Sequence, residues 1–366
     1  MKIRSKFRAN AMPCIALLAA LVTAFFVPPD REYLNYYDLK TLSCLFAVLA
    51  VVGALRDMEV FSAISRRMVH AFSTVRGVCT ALVVITMLGS MLLTNDTALL
   101  TFLPLGWFAL SSTGQEKHAA LLFVLQNCAA NLCGMITPFG NPQNLYLFSY
   151  YGIPTGKFFS VMLPPFILSA VLILLCCLIF PRERLTVPEV CAAVDVRRAA
   201  AYMGLFCLAV AMVLRLIPYA FGLAVIVLVL FVLDLHALKT VDWGLLITFV
   251  AFFTFSGNMA RIEPVRELFA RLLSHGAMLV SALTSQIISN VPAAILLSRF
   301  TQDACGLLVG VNIGGVGTLV ASLAGLITFR EYTRHVPGGG KRFAALFSVV
   351  GFAFLAILLT VMSLLN

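Results

Sequence analysis

The chain has 366 residues, of which 61% are hydrophobic and 11% charged, and its mean hydropathy is +0.99. No water-soluble domain needs that much apolar surface, and the apolar runs are continuous rather than alternating, which excludes a barrel. The formal net charge of +10 sits in short loops, where the positive-inside rule explains it better than nucleic-acid binding does.

The composition therefore predicts an all-α polytopic membrane protein. Lys2, Arg4, Lys6 and Arg8 precede the first apolar run, as in a secretory signal. No small-residue cleavage site follows and more spans come after, so 11–27 is expected to remain as an uncleaved helix. Residues 30–38 form a polar loop with Tyr33, Tyr36 and Tyr37, suited to a membrane interface. A span is expected at 39–55, then an amphipathic surface helix over 56–72 carrying Arg66, Arg67 and His70.

The run 75–110 is too long for one crossing, which needs about 20 residues, yet carries only Arg76 and Asp96 as formal charges. A polar knot, Ser90 to Ala98, interrupts it. The pattern predicts a re-entrant hairpin whose turn is shielded by protein or a water-filled cavity. Residues 119–150 would span but are cut by Pro138, Gly140 and Pro142, so the helix is expected to unwind there. A span at 158–180 and the polar linker 181–198 follow.

The second half is expected to hold spans at 199–217, 219–235 and 243–256 and an amphipathic stretch at 261–275. A second hairpin at 277–299, a second broken helix at 306–329, a basic loop at 330–342 and a last span at 343–364 complete it. The knot returns here: Ser90, Thr94, Asn95 and Ala98 match Ser285, Ser289, Asn290 and Ala293. Asn131, Gly134 and Thr137 match Asn312, Gly315 and Thr318. The expected organisation is an N-terminal span and external loop (1–37), a first repeat (38–180), a cytoplasmic linker (181–198) and a second repeat (199–366). Placing the basic segments in the cytoplasm gives a cytoplasmic N-terminus, nine crossings, two inverted repeats each with a hairpin and a broken helix, and an external C-terminus. The segment 261–275 then falls outside and fits that scheme least well.

Leu93-Thr94-Asn95-Asp96, Thr137 to Asn144 and Ser285 to Pro292 together resemble the ion transporter superfamily. That group includes divalent anion:sodium symporters, citrate permeases, arsenite pump membrane subunits and one type of sodium/proton antiporter; the chain most resembles its citrate-transporter-like bacterial inner-membrane permeases, from about residue 38 onward. It implies that the tips Thr94-Asn95-Asp96 and Ser289-Asn290-Val291 line substrate and sodium sites. The chain departs from the symporter pattern at the third tip residue, where Asp96 and Val291 replace a hydroxyl. Asn-Asp at the first tip is more like the arsenite and antiporter branches.

The residues themselves support two kinds of site. Ser90/Thr94 and Ser285/Ser289 are i, i+4 pairs on one helix face, and with Asn oxygens and unwound carbonyls they suit Na⁺. The cation expectation covers Ser90, Thr94, Asn95, Gly134 and Thr137, with Ser285, Ser289, Asn290, Gly315 and Thr318. The alternative is that these hydroxyls only satisfy helix carbonyls. Substrate contacts are expected from Thr94, Asn95, Asp96, Asn141, Gln143, Asn144, Ser289 and Asn290. Asp96 reads as a cation or proton site or as a helix cap. Asn141, Gln143 and Asn144 read as substrate ligands or as clamps on the broken helix. Arg215, Asp234 and His236 read as interfacial.

The ten cysteines show no metal spacing and read as buried hydrophobes. No ATP-binding motif and no catalytic constellation occurs, so an enzyme is not expected. The expectation is a secondary active transporter in an inner membrane, moving a small anion (a di- or tricarboxylate or an inorganic oxyanion) coupled to Na⁺ or H⁺. No cofactor is expected beyond that ion. The alternative is a sodium/proton or arsenite-type antiporter using Asp96; a channel fits less well. Partners are the anion and the lipid bilayer, with a homodimer as one option for assembly.

Overall fold

The computed structural model describes residues 11–58, 72–185, 196–239 and 241–365. Most of the expected amphipathic helix at 56–72 and the middle of the linker 181–198 lie outside the described residues. Seventeen α-helices and two short 3-10 turns make up the described chain, with no strands among its residues. The first half contains α1 (Ala11–Phe26), α2 (Leu39–Asp57), α3 (Val75–Leu92), α4 (Asn95–Ser111), α5 (Ala119–Gly134), α6 (Pro142–Tyr150) and α7 (Thr155–Cys177). The second holds α8 (Val196–Val213), α9 (Tyr219–Leu233), α10 (Leu235–Lys239), α11 (Trp243–Arg261), α12 (Glu263–Leu273), α13 (Ala277–Ile288), α14 (Asn290–Leu297), α15 (Ala304–Ile313), α16 (Leu323–His335) and α17 (Gly340–Leu365).

Local chemistry sets many of the helix starts. Asp38, Thr74, Asp242, Asp303 and Ser322 each accept a hydrogen bond from a backbone N–H in the first turn they precede. Pro142 opens α6, where its missing N–H costs nothing.

Five helices (α2, α3, α7, α11 and α17) are long and apolar enough to cross a membrane. The pair α12 and α13, bent by 118° around Gly276, adds a sixth if counted as one span. Nine crossings were expected. Length alone does not reach that number: the breaks at 135–141 and 314–322 split two of the expected spans, α1 and α9 have only 16 and 15 residues, and α3 is an arm of the first hairpin.

The helices sort by what surrounds them. About 61% of the apolar windows of α2 and α3 is buried inside the protein, against 28% for α7 and 33% for α17. The outer faces of α1, α7, α9 and α17 carry exposed Phe25, Leu175, Val232 and Val349. Such a surface costs roughly 25 cal/mol per Å² in water and nothing comparable against lipid tails. The chain is a polytopic helical membrane protein.

Around the buried centre, α3 packs on α5, α13 on α15, and α16 from the second half on α4 and α5 of the first. Contact between α13 and α15 is close enough that a Cβ at Gly310 would overlap the backbone of Met278 and the hydroxyl of Ser281. Small residues permit such approach between membrane helices.

The two hairpins open against different loops. At the mouth of the first, Val75 N–H donates to Glu183 O (3.0 Å), Arg76 Nε to Phe180 O (2.7 Å), and Gln115 meets Glu183 (3.2 Å). Trp107 near that mouth stacks on His335 at 4.5 Å, which brings the end of α16 to the same side. At the mouth of the second hairpin, Arg299 donates to Tyr36 O (2.8 Å). Nearby Arg261 pairs with Asp30 (2.6 Å), and its hydrogen bond, with its charge, holds the Asp30 carboxyl below its ordinary range.

Candidate functional site

The hairpin tips are built by the same contacts. In the first, Asn95 N–H donates to Gly140 O (3.0 Å), Asp96 N–H to Asn95 Oδ1 (2.9 Å), and Thr137 Oγ1 to Met91 O (2.9 Å). In the second, Asn290 N–H donates to Ala321 O (2.9 Å), Val291 N–H to Asn290 Oδ1 (2.9 Å), and Thr318 Oγ1 to Gln286 O (3.0 Å). Each Asn amide oxygen thus satisfies a free N–H in the first turn after the tip, and each tip backbone is tied to its own broken helix. Neither α4 nor α14 has a side-chain cap at its N-cap residue, Thr94 or Ser289.

Both tips face one cavity of about 170 Å³. Asn95 and Asp96 line it from the first hairpin, Ser289, Asn290 and Val291 from the second, and Gln143 from the start of α6. Its remaining wall includes Met12, Asp242 and Thr248, with Leu323, Leu326 and Arg330 along one face of α16. Arg330 lies on α16, whose last turn meets Trp107, so the cavity reaches from the tips toward that end.

Behind the cavity runs a buried amide network. Asn95 Nδ2 donates to Asn131 Oδ1 (3.2 Å), and Asn131 Nδ2 to Asn127 O (3.1 Å). Asn141 Nδ2 and Gln143 Nε2 both donate to Asn312 Oδ1 (3.2 and 3.1 Å), and Asn312 Nδ2 to Asn144 Oδ1 (2.6 Å). Asn312 is therefore one joint between the halves. Buried amides hold a geometry only when most of their groups are satisfied.

Three of the buried polar atoms left without a partner lie at this site. Asp96 Oδ1, Asn141 Oδ1 and Gln143 Oε1 are buried acceptors without a hydrogen-bond partner among the described residues. All three belong to the first hairpin and the first broken helix. Asn141 Oδ1 and Ser90 O each lie 3.0 Å from where a Cβ would sit on Gly134. Ser90 O (2.9 Å) and Thr137 Oγ1 (2.7 Å), with Gly134 O closer still, crowd the same position on Gly140. A side chain would overlap its neighbours at Gly140 and fit only tightly at Gly134, and oxygen atoms converge around both.

The expected site residues fall into three groups. Asn95, Asp96, Gln143, Ser289 and Asn290 reach the cavity. Ser90, Gly134, Thr137 and Asn141 form the oxygen-rich pocket behind the first tip, while Ser285, Gly315 and Thr318 lie behind the second. Thr94 and Asn144 lie elsewhere: Thr94 Oγ1 pairs with Thr97 Oγ1 (2.9 Å), and Asn144 Nδ2 clamps Met135 O (2.9 Å) and Thr137 O (3.2 Å). Ser90 Oγ and Ser285 Oγ both donate to carbonyls of their own helices, Met87 O (2.8 Å) and Ser281 O (2.7 Å). A donating hydroxyl keeps its lone pairs, so this bond does not close it to a cation.

Asp96 does not cap its helix through its buried oxygen. It lies in the first turn of α4, beyond the N-cap. Arg215, expected at the interface, has left-handed backbone (φ 64°), donates to Phe148 O and stacks over the Phe148 ring at 4.5 Å.

Sequence reasoning missed Asp242, Arg330 and Gln286. Asp242 precedes a span as any capping residue would, and Arg330 reads as one more loop charge. Gln286 had a signal, being a polar residue beside a matched serine in an apolar run.

A bundle of membrane helices with two polar turns meeting at a shielded cavity defines a transporter of the broken-helix kind. A sequence-family model described as "Citrate transporter" matches residues 5–305. The chain belongs to the citrate transporter family. It is 30% identical over 309 residues to an uncharacterized transporter of Methanocaldococcus jannaschii, covering 84% of this chain and 85% of that protein. It is 28% identical over 325 residues to the inner membrane protein YbiR of Escherichia coli, covering 86% of each. A shorter match, 33% over 135 residues, joins 36% of this chain to 27% of a silicon efflux transporter of Oryza sativa.

Proposed function

We propose that this protein is a secondary active transporter that carries a small anion through the cavity between the two hairpin tips, coupled to Na⁺ or H⁺. The observation that carries this reading is the meeting of both tips at one cavity, backed by buried acceptor oxygens that no protein group satisfies. Uncompensated buried acceptors cost about 1–3 kcal/mol each, a cost that a bound cation would offset.

In this reading Ser90 O, Gly134 O, Thr137 Oγ1 and Asn141 Oδ1 hold the coupling cation, an all-oxygen set suited to a hard ion. Asn95 and Asn290 order the tips, and the N-terminal ends of α4 and α14 present N–H groups to an anion. Arg330 supplies positive charge on the cavity wall, and Asp96 and Asp242 supply negative charge. Two carboxylates oppose an anion unless a cation or proton accompanies it. That requirement is the physical basis for coupling. The matched tip contacts, and mouths that meet different loops, support an inverted-repeat architecture with alternating access. With the basic loops in the cytoplasm of a bacterial-type inner membrane, this conformation is open inward.

A second reading, proton-linked exchange of a weakly acidic oxyacid such as arsenite, is favoured by the two carboxylates in the cavity. The silicon efflux transporter's name points to similar chemistry. Counterflow in proteoliposomes against citrate, C4 dicarboxylates, sulfate, arsenite and silicate, with Na⁺ and pH varied separately, tests both. Sodium-dependent uptake of a carboxylate or sulfate supports the first. Sodium-independent, pH-driven exchange of arsenite or silicate supports the second. Movement of none of them in a folded preparation contradicts both.

A further inference from the structure

The two halves differ in one respect that bears on how many ions accompany each substrate. Behind the first tip, acceptor oxygens stand open. Behind the second they are filled by the side chain of Gln286. Its Nε2 donates to Ala282 O (3.1 Å), Gly314 O (2.8 Å) and Val316 O (3.1 Å), the latter two from the unwound segment after α15.

The amide orientation is fixed by chemistry. Thr318 N–H can only donate, and it meets Gln286 Oε1 at 2.9 Å, so the NH₂ group must face the carbonyls. Gly317 accommodates this arrangement with φ at +122°, and any Cβ there would overlap the Gln286 amide. Glycine alone adopts that conformation freely.

At the matching position of the first hairpin stands Met91, whose side chain has no N–H to give. Behind the first tip, Asn141 Oδ1 is fully buried and unpartnered, close to Ser90 O and Gly134. Behind the second, Ser322 replaces Asn141 in the sequence register, and its hydroxyl accepts from Gly325 N (3.3 Å). Ser285 O, the counterpart of Ser90 O, accepts from Ser289 N (3.1 Å). The second hairpin and its broken helix therefore present no unpartnered acceptor comparable to Asn141 Oδ1 among their described residues; the one in the second half, Asn258 Oδ1, lies on α11.

We infer that each transport cycle uses one cation, held by the first half, and that the Gln286 side-chain amide takes the place of a second cation behind the other tip. The amide carries partial positive charge on its hydrogens and meets the same kind of ligand, backbone carbonyls, that a sodium ion would. It stays attached to the chain, so it contributes shape and charge but no coupling. The inference rests on the cation-coupled form of the function proposed above.

The test compares two equivalent threonines. Each of Thr137 and Thr318 gives one hydrogen bond to a carbonyl of its own hairpin, so replacement by valine removes the same structural bond from each half. Equilibrium binding of radioactive Na⁺ to the purified full-length protein is measured for the parent, Thr137→Val, Thr318→Val and Thr137→Ser, with folding checked by size exclusion. The expected result is one Na⁺ per chain. Thr137→Val should weaken it by roughly tenfold or more, by analogy with lost metal-site contacts. Thr318→Val should leave it unchanged, and Thr137→Ser should restore it. Two Na⁺ per chain, or equal weakening by the two valine variants, overturns the inference while leaving cation coupling in place. No Na⁺ bound by the folded parent overturns both the inference and the sodium form of the proposed function.

Discussion

The two hairpins share a scaffold and differ in what they leave open. Asn95 and Asn290 make the same pair of contacts, one through the backbone N–H and one through the side-chain oxygen. Yet the first tip continues into Asp96 and the second into Val291, and among the described residues of the two hairpins and broken helices only the first pair carries unpartnered acceptor oxygens. The backbone pattern therefore serves the fold of both turns, while charge and open oxygen are specialised to one. In the function proposed above, the matched contacts preserve the frame, and the chemistry is carried by the residues where the two hairpins diverge.

The largest effect is expected where the copies agree. Asn95→Ala and Asn290→Ala each remove the acceptor that satisfies a first-turn N–H beside the cavity. Both variants should reach the membrane as folded protein and lose uptake by roughly a hundredfold or more, because a small misplacement of a binding group costs about that much. Proteoliposome uptake normalised to monodisperse protein checks it. Loss in one variant alone would mean that the matched tips do not act together.

A smaller but more informative change is expected where they differ. Asp96→Asn keeps size and removes the charge. Accumulation against a gradient should fail, while counterflow at the most favourable pH continues with its pH dependence lost. An unchanged pH profile would show that the carboxylate is structural and would remove the main electrostatic difference between the halves.

Smaller still is Gly317→Ala. The added Cβ meets the Gln286 amide in a left-handed backbone, and the variant should be destabilised by about 1 kcal/mol or more. Thermal unfolding in detergent measures it. An unshifted midpoint would mean that Gln286 is not held as described.

Much of the frame was legible in the sequence because membranes enforce strong rules. Apolar runs have to form helices, and polar knots within them have to be shielded. Pro138, Gly140 and Pro142 marked the first break directly. The second lacks proline and was located by its match to Asn131, Gly134 and Thr137. The tip residues were legible for the same reason, since a hydroxyl and an asparagine recur in both. Arg330 and Asp242 were not, because their part in the cavity depends on how α16 and α11 pack across the halves. No local pattern encodes that packing. Asn144 was read as either ligand or clamp, and its bonds to Met135 O and Thr137 O are those of a clamp.

The central claim is that solute passes through the cavity shared by the two tips, and filling that cavity tests it most directly. Val291 lines it, half-buried, whereas Ile287, one turn earlier on the same hairpin, is 79% exposed on the outer surface. Uptake should be measured for Val291→Trp and Ile287→Trp in proteoliposomes with any solute that the parent transports. The account predicts that Val291→Trp folds and transports nothing, while Ile287→Trp transports as the parent does. Normal uptake by folded Val291→Trp would contradict it.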